Sequence, residues 1–295
     1  MYNQIASNKR KTWLLIIIFV VLISLLGYFL GYVTSYGNGI LVLAVMISIF
    51  TSLFGYFGGD KVALWSAGAQ PLTKEANSYV YNIVENLCIA DGLPTPKIYI
   101  IEDQAINAFA TGRDPKHASI AITSGAIQKL KNEELEGVVA HELSHVKNYD
   151  IRLMTIVIVL VGIISILANW FWQASFFGGR RRSSGEGEGG AIFLIIGIVL
   201  IILSPIVATL IQLAISRKRE YLADASGALL TRYPEGLANA LEKIKNDPAV
   251  MKHATEATAH LYIANPFKNS KKFLTSAFST HPDVDDRIKK LRAMT

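Results

Sequence analysis

Four long apolar runs constrain this chain more than any other feature, because crossing a hydrocarbon core about 30 Å thick takes roughly 20 helical residues. Residues 13–33 and 40–57 form one pair, and residues 151–177 and 191–215 the other. The first run has no charge and follows Lys9-Arg10-Lys11, which is also how a secretory signal peptide begins. It is too long for one, no convincing small-residue cleavage site follows, and a second run returns after the polar break 34–39. These two predict a membrane hairpin. The third run is interrupted only by Arg152 near its start and by Asn169 and Gln173 near its end, with Trp170 and Trp172 suited to an interface belt. The fourth carries Pro205 and Gln212, tolerable where neighbouring helices or water satisfy the freed groups. A 51% hydrophobic composition and a mean hydropathy of +0.34 fit the same class.

A net charge of +6 suits contact with either anionic lipid or nucleic acid. Its placement decides between them. Lys and Arg gather where apolar runs end, at Lys9–Lys11 and Arg217–Arg219, with no basic stripe interleaved with aromatics. The bilayer is the expected partner and nucleic acid is not. Four spans put both termini and both larger polar segments, 58–150 and 216–295, on one side. Lys9 to Lys11, Lys61, Lys147 and Arg217 to Arg219 mark that side as cytoplasmic, against Arg180-Arg181-Arg182 in the glycine-rich turn 178–190. The alternative is that the third and fourth runs form a shallow hairpin that never fully crosses. The chain thus divides into a hairpin at 1–57, a first cytoplasmic part at 58–150, a second hairpin at 151–215 and a second cytoplasmic part at 216–295. Neither cytoplasmic part looks complete alone, and the two are expected to fold as one unit. The single cysteine, Cys88, excludes an intrachain disulfide and any Cys-based metal cluster, and reads as a small core residue.

Within these parts, Pro71 to Leu87 has apolar residues at three-to-four spacing and predicts an amphipathic helix. After the loop signal Gly92-Leu93-Pro94-Thr95-Pro96, Lys97 to Ile101 reads as a strand. Ala105 to Thr111 and Ala118 to Thr123 read as two more, flanking Gly112-Arg113-Asp114-Pro115 as a hairpin in a small sheet. Asn132 to Lys147 predicts a further helix, begun by an Asn cap and carrying Glu133, Glu134 and Glu136 in its first turns.

Chemistry concentrates on that helix. His141-Glu142-Leu143-Ser144-His145 is the H-E-x-x-H pattern. Residues four apart share a helix face, so both imidazoles can approach one ion, with zinc the expected metal. Glu142 lies beside them without having to be a ligand. From there it can take a proton from a water acidified by the metal and pass it to a leaving amine. Two histidines need a third protein ligand, leaving one position open. Glu220 in Arg219-Glu220-Tyr221-Leu222-Ala223-Asp224 is the candidate, and Asp224, one turn on, can accept the other ring N–H of a ligand histidine. Spacing alone leaves Glu220 and Asp224 equally readable as a solvated charge pair.

Taken together, the two apolar runs, Asn107-Ala108-Phe109-Ala110-Thr111-Gly112, the H-E-x-x-H helix, two more runs, the E-x-x-x-D helix and Thr280-His281-Pro282 resemble, in order, the HtpX family of membrane-bound heat-shock endopeptidases. That family is related to the CAAX prenyl endopeptidases and the Oma peptidases. The resemblance implies an α+β fold, a four-span helical anchor with a cytoplasmic gluzincin-like zinc peptidase domain. It implies one Zn2+ per chain held by His141, His145 and Glu220, with Asp224 behind them. It also implies that Asn107, Ala108, Phe109 and Ala110 form an upper edge strand whose free backbone groups hold an extended polypeptide substrate. A bacterial cytoplasmic (inner) membrane location and the cleavage of misfolded or damaged membrane proteins follow as expectations.

His117, His253 and His260 read as surface or loop residues. His281, followed by Pro282, resembles the family's His-Pro element, and either donates a hydrogen bond to the tetrahedral oxyanion or fills the open metal position at rest. Asn246 to Ser279 reads as a lid or gating loop. His145 stands seven residues before Arg152 and Glu220 five after Ile215. At 1.5 Å per helical residue, the metal is expected on the order of 10 Å from the membrane surface, with each ligand-bearing helix near-continuous with a span. Competing readings are a CAAX-type peptidase of prenylated tails, a silent scaffold with structural zinc, and a transporter. A structural zinc site is normally closed by a fourth Cys or His. A transporter would bury ionisable groups in mid-span, where this chain has almost none.

Overall fold

In a computed structural model, residues 2–33, 37–178, 216–255, 258–267 and 282–294 are described. Helices α1 (Tyr2–Val33) and α2 (Asn38–Ser66) enclose the first two apolar runs and extend beyond both. Trp13 stacks on Tyr56, a Cβ at Gly27 would collide with Ala44, and the Gly37 N–H donates to the Gly31 carbonyl. That sequence of pairings makes an antiparallel hairpin. Outward-facing Leu14, Ile17, Val21, Leu25, Met46 and Phe50 are exposed, as hydrocarbon contact requires. The third long helix, α6 (Asp150–Gly178), packs Leu153, Ile156, Val157 and Leu160 against Leu15, Phe19 and Ile23 of α1. On α2, the small residues Ser48, Ser52, Gly55, Gly59 and Ala63 are buried. Gly55 and Gly59 face Val159 and Thr155 of α6 so closely that an added Cβ would press on them.

By length and composition α1 and α2 can each cross a membrane, and a third crossing is counted if α6 and the helix before it are one bent span. The run 191–215 and the Arg180–Arg182 turn lie outside the described residues.

The sheet is mixed, in the order β1 (Gln70–Pro71), β2 (Lys97–Ile101), β4 (Ala118–Thr123), β3 (Ala108–Gly112). β2 runs parallel to β4, and β3 pairs antiparallel with β4 as a hairpin that leaves β3 on the edge. The first part of the expected strand 105–111 is instead a loop. There the Asp103 carboxylate accepts the Ala105 N–H and Asp247 accepts the Ile106 N–H.

The expected helix from Pro71 begins later, as α3 (Ser78–Asp91), because the Asn77 side chain accepts the Val80 N–H and caps it there. Pro71 belongs to β1. After the short α4 (Ser124–Lys129), α5 (Asn132–Lys147) has the predicted bounds, but Lys131 rather than Asn132 occupies the cap position, its N–H donating to Glu134.

Helices α7 (Arg217–Thr231), α8 (Pro234–Asn246) and α9 (Val284–Arg292) complete the described α-helices. One apolar core joins Val80, Val84, Ile120, Leu135 and Val139 with Ala228, Leu237, Leu241, Ile288 and Leu291. The segments before and after the second pair of apolar runs therefore share a core. Close approach of α7 to α5 depends on Gly227, where a Cβ would stand 3.0 Å from the His141 backbone nitrogen.

Candidate metal centre

α5 is buried almost throughout its second half, which brings His141, Glu142 and His145 into the interior instead of onto a solvated face. The His141 and His145 Nε2 atoms point at each other, 3.2 Å apart. Glu220, from the first turn of α7, places Oε2 3.7 Å from His141 Nε2 and Oε1 3.6 Å from His145 Nε2. Bonds of 2.0–2.1 Å in a tetrahedron put neighbouring ligand atoms about 3.3–3.5 Å apart, so this spacing fits one first-row ion held by three donors. The three donor atoms are the one group among the described residues placed to hold a metal ion.

Each imidazole is held from behind by a carboxylate. His141 Nδ1 stands 2.9 Å from Asp224 Oδ1, and His145 Nδ1 stands 3.1 Å from Asp150 Oδ2. A carboxylate so placed favours the proton on Nδ1 and an Nε2 lone pair turned inward, and at His145 the contact also has hydrogen-bond geometry. Asp224 in turn receives both Arg287 Nε and Nη2, at 2.8 and 2.7 Å. Arg287 is fully buried and also donates to the Ile263 carbonyl.

In the metal-free site burial pulls His141 down, but Asp224 and Glu220 outweigh it and lift the imidazole to about 9. His145 is likewise raised, with Asp150 and Glu220 overcoming burial. Burial raises Asp224, but the Arg287 charge beside it prevails and takes it down to about 2. Burial pushes the Glu142 carboxyl up to about 7, against the pull of the two histidines and a hydrogen bond from the Ala110 backbone. Glu142 Oε1 is buried without a hydrogen-bond partner among the described residues.

Sequence reading thus placed His141, Glu142, His145, Glu220 and Asp224, and the fold brings all five together. Three supporting residues escaped it. Asp150 follows His145 by five residues, yet it reaches back only because Tyr149 adopts the left-handed conformation, φ 60°, and α6 leaves α5 at 82°. Only two residues separate α5 from α6, as near-continuity with a span expects, but the helix axis turns sharply between them. Arg287 had a signal: it shares a face with Val284, Ile288 and Leu291, the apolar stripe of its helix. Asn8 had none.

Asn107 precedes β3, and Ala108, Phe109 and Ala110 lie in it. The outward edge at Ala108 is already engaged: its carbonyl accepts the Ile263 N–H at 3.1 Å and its N–H donates to Asn107 Oδ1. The Asn107 amide donates to the Ala264 carbonyl. The described part of Asn246 to Ser279 is accordingly packed, with Leu261 and Tyr262 buried against Phe109 and Met154. His260, expected at the surface, is buried there and faces the Met154 carbonyl. His117 and His253 are exposed, and His281 lies outside the described residues.

Known proteins give this geometry a context. Residues 74–295 match the model of peptidase family M48. Over 99% of its length the chain is 44% identical to a protein called "Protease HtpX homolog" from Dictyoglomus thermophilum, covering 94% of that protein. It is 45% identical over its whole length to a protein of the same name from Caldanaerobacter subterraneus, covering 98% of it. Among solved structures, Ste24p of S. mikatae superposes with a TM-score of 0.50 at 19% identity, spanning 99% of this chain and 67% of that one, a likeness of fold. With its paired histidines and third carboxylate ligand in place, the chain belongs to peptidase family M48 and is a metallopeptidase of the HtpX kind.

Proposed function

We propose that the chain is a zinc endopeptidase acting on membrane polypeptides, misfolded or damaged ones above all, from the cytoplasmic side of a bacterial inner membrane. The observation that carries the reading is the convergence of His141, His145 and Glu220 beside a buried Glu142 in a chain that also has membrane-crossing helices. Bound zinc supplies positive charge that polarises the scissile carbonyl and makes water a better nucleophile. Glu142 takes the proton from the attacking water and delivers it to the leaving amine as the C–N bond breaks. Burial, which raises this carboxyl, disfavours its charged form and makes it a better base for the first transfer. Asp224 and Asp150 hold the two imidazoles in one tautomer throughout.

In this reading an extended substrate pairs with β3, and at Ala108 it must take the place of the Ile263 N–H. His281 is assigned to the oxyanion. The runs 151–177 and 191–215 are read as the third and fourth spans, with 58–150 and 216–295 as two parts of one cytoplasmic domain.

The test is Glu142→Gln in the full-length protein, with zinc content and cleavage of an unfolded membrane protein measured together. Retained zinc with cleavage lowered at least a hundredfold is the expected outcome. Retained zinc with full cleavage would sink the mechanism.

A further inference from the structure

We propose that Asn8, in the first membrane helix, is a positioning residue of the metal centre, acting on His145 through Asp150. The inference rests on the metal reading above. Asn8 is 1% exposed. Its Nδ2 donates to Asp150 Oδ1 at 2.7 Å and to the Asn148 carbonyl at 2.9 Å. Its Oδ1 lies 3.4 Å from Arg219 Nη1, which is also 3.4 Å from Asp150 Oδ1. The other Asp150 oxygen is the one that faces His145 Nδ1.

An unbroken path therefore runs from α1 to a metal ligand: amide, carboxylate, imidazole. It crosses 142 positions of sequence in one hydrogen bond. It also lies outside the part of the chain that matches the family model, which begins at residue 74.

The choice of side chain fits that task. A primary amide offers two N–H groups on one nitrogen and an acceptor on the other branch. Here the two donors meet a carbonyl and a carboxylate, and the acceptor meets a guanidinium. Neither Asp nor an apolar residue supplies that combination.

Docking of the hairpin does not need it. Leu15, Phe19 and Ile23 already bind α1 to α6 through apolar contact. A buried amide is tolerated only when fully bonded. Its contribution lies in the orientation of Asp150. That oxygen pair is kept from rotating, and the His145 ring is kept with Nε2 facing Glu220. A membrane helix is in this way a constituent of the metal site as well as its anchor.

The experiment compares Asn8→Ala, Asn8→Leu and Leu15→Ala in the full-length, detergent-solubilised protein. It measures zinc affinity by competition with a chelating dye, the visible spectrum of the cobalt-loaded protein, and thermal unfolding of the metal-free form. Asn8→Leu keeps the branched, four-atom shape of the side chain and raises helical propensity, so it leaves no gap where a truncated side chain does.

The expected result is a zinc affinity weakened about tenfold in both Asn8 variants, the lower end of what loss of a residue supporting a ligand does, with altered cobalt bands. Leu15→Ala is expected to lower the unfolding temperature and leave both metal readouts at wild-type values. Wild-type zinc affinity and spectrum in Asn8→Leu would overturn the proposal, and so would equal weakening by Leu15→Ala. His145→Ala separates the two levels: if it too leaves zinc binding unchanged, the metal assignment itself has failed.

Discussion

The two ligand histidines sit four residues apart on one helix and are braced in opposite ways. Behind His141 stands Asp224, gripped by the two parallel donors of a fully buried arginine from the last helix. Behind His145 stands Asp150, held at 2.7 Å by a neutral amide from the first membrane helix and at 3.4 Å by Arg219. The first brace is a charge-assisted fork lying within the core that the two polar segments share. The second spans the junction of α1, α6 and α7, and exists only when the membrane helices are docked. One side of the metal centre therefore belongs to the stability of the globular part, and the other to the assembly of the membrane part.

Arg287→Ala is the hardest blow to the first side. It leaves the Asp224 carboxylate buried and stripped of the charge that holds it near 2. Removing one partner of such a pair is expected to lower stability by about 3–5 kcal/mol, read by thermal unfolding. Asp150→Asn tests the second side. It keeps the shape but weakens the acceptor facing His145, and is expected to reduce zinc affinity about 10–100-fold with a smaller loss of stability than Arg287→Ala. If Asp150→Asn unfolds the protein as deeply as Arg287→Ala does, the asymmetry between the braces is gone.

That asymmetry also explains which parts of the site could be read from residues alone. His141, Glu142 and His145 are legible because helical periodicity is a local rule. Glu220 and Asp224 keep their own i, i+4 relation, but nothing local says that α7 meets α5. That meeting depends on Gly227 lying against the His141 backbone. Asp150 needs a single left-handed residue, Tyr149, which spacing does not announce. Asn8 is the extreme case, a polar residue beside a basic cluster with no motif of its own, which the fold seals 1% exposed against Asp150. The strands Lys97–Ile101 and Ala118–Thr123 are legible to the residue because loop and turn signals bound them, and the helix Asn132–Lys147 has the expected bounds although Lys131, not Asn132, is its cap. The start of α3 was not, because Asn77 ends a turn that helical periodicity overlooks.

Both braces store charge that a metal must displace. In the metal-free site His141 is lifted to about 9 and His145 is also raised. Below pH 9 zinc therefore binds in competition with protons, and its affinity is expected to fall about tenfold per pH unit for each proton displaced. Stability of the metal-free protein runs the other way. A raised imidazole contributes most below its unfolded value near 6.5, and that contribution is lost as pH rises through about 9. Calorimetry in two buffers of different ionisation heat counts the protons released. A count of zero at pH 7 would mean that Asp224 and Asp150 do not act on the rings as their distances imply.

The smallest effect is expected at the joint between the two sides. Tyr149 holds a left-handed backbone, φ 60°, that a tyrosine adopts at a cost of about 1–2 kcal/mol. Its ring lies under two cations, Lys9 at 4.5 Å and Arg152 at 5.0 Å, each contact worth about 0.5–1 kcal/mol at the surface. Tyr149→Gly relieves the backbone and forfeits both contacts, so the two changes nearly cancel and stability should move by less than about 1 kcal/mol. Zinc affinity is the more telling readout. The 82° bend aims Asp150 at His145, and a glycine at the joint lets that angle wander. A wild-type affinity in Tyr149→Gly would mean that Asn8 and Arg219 alone hold Asp150, placing the whole of the second brace on the membrane side.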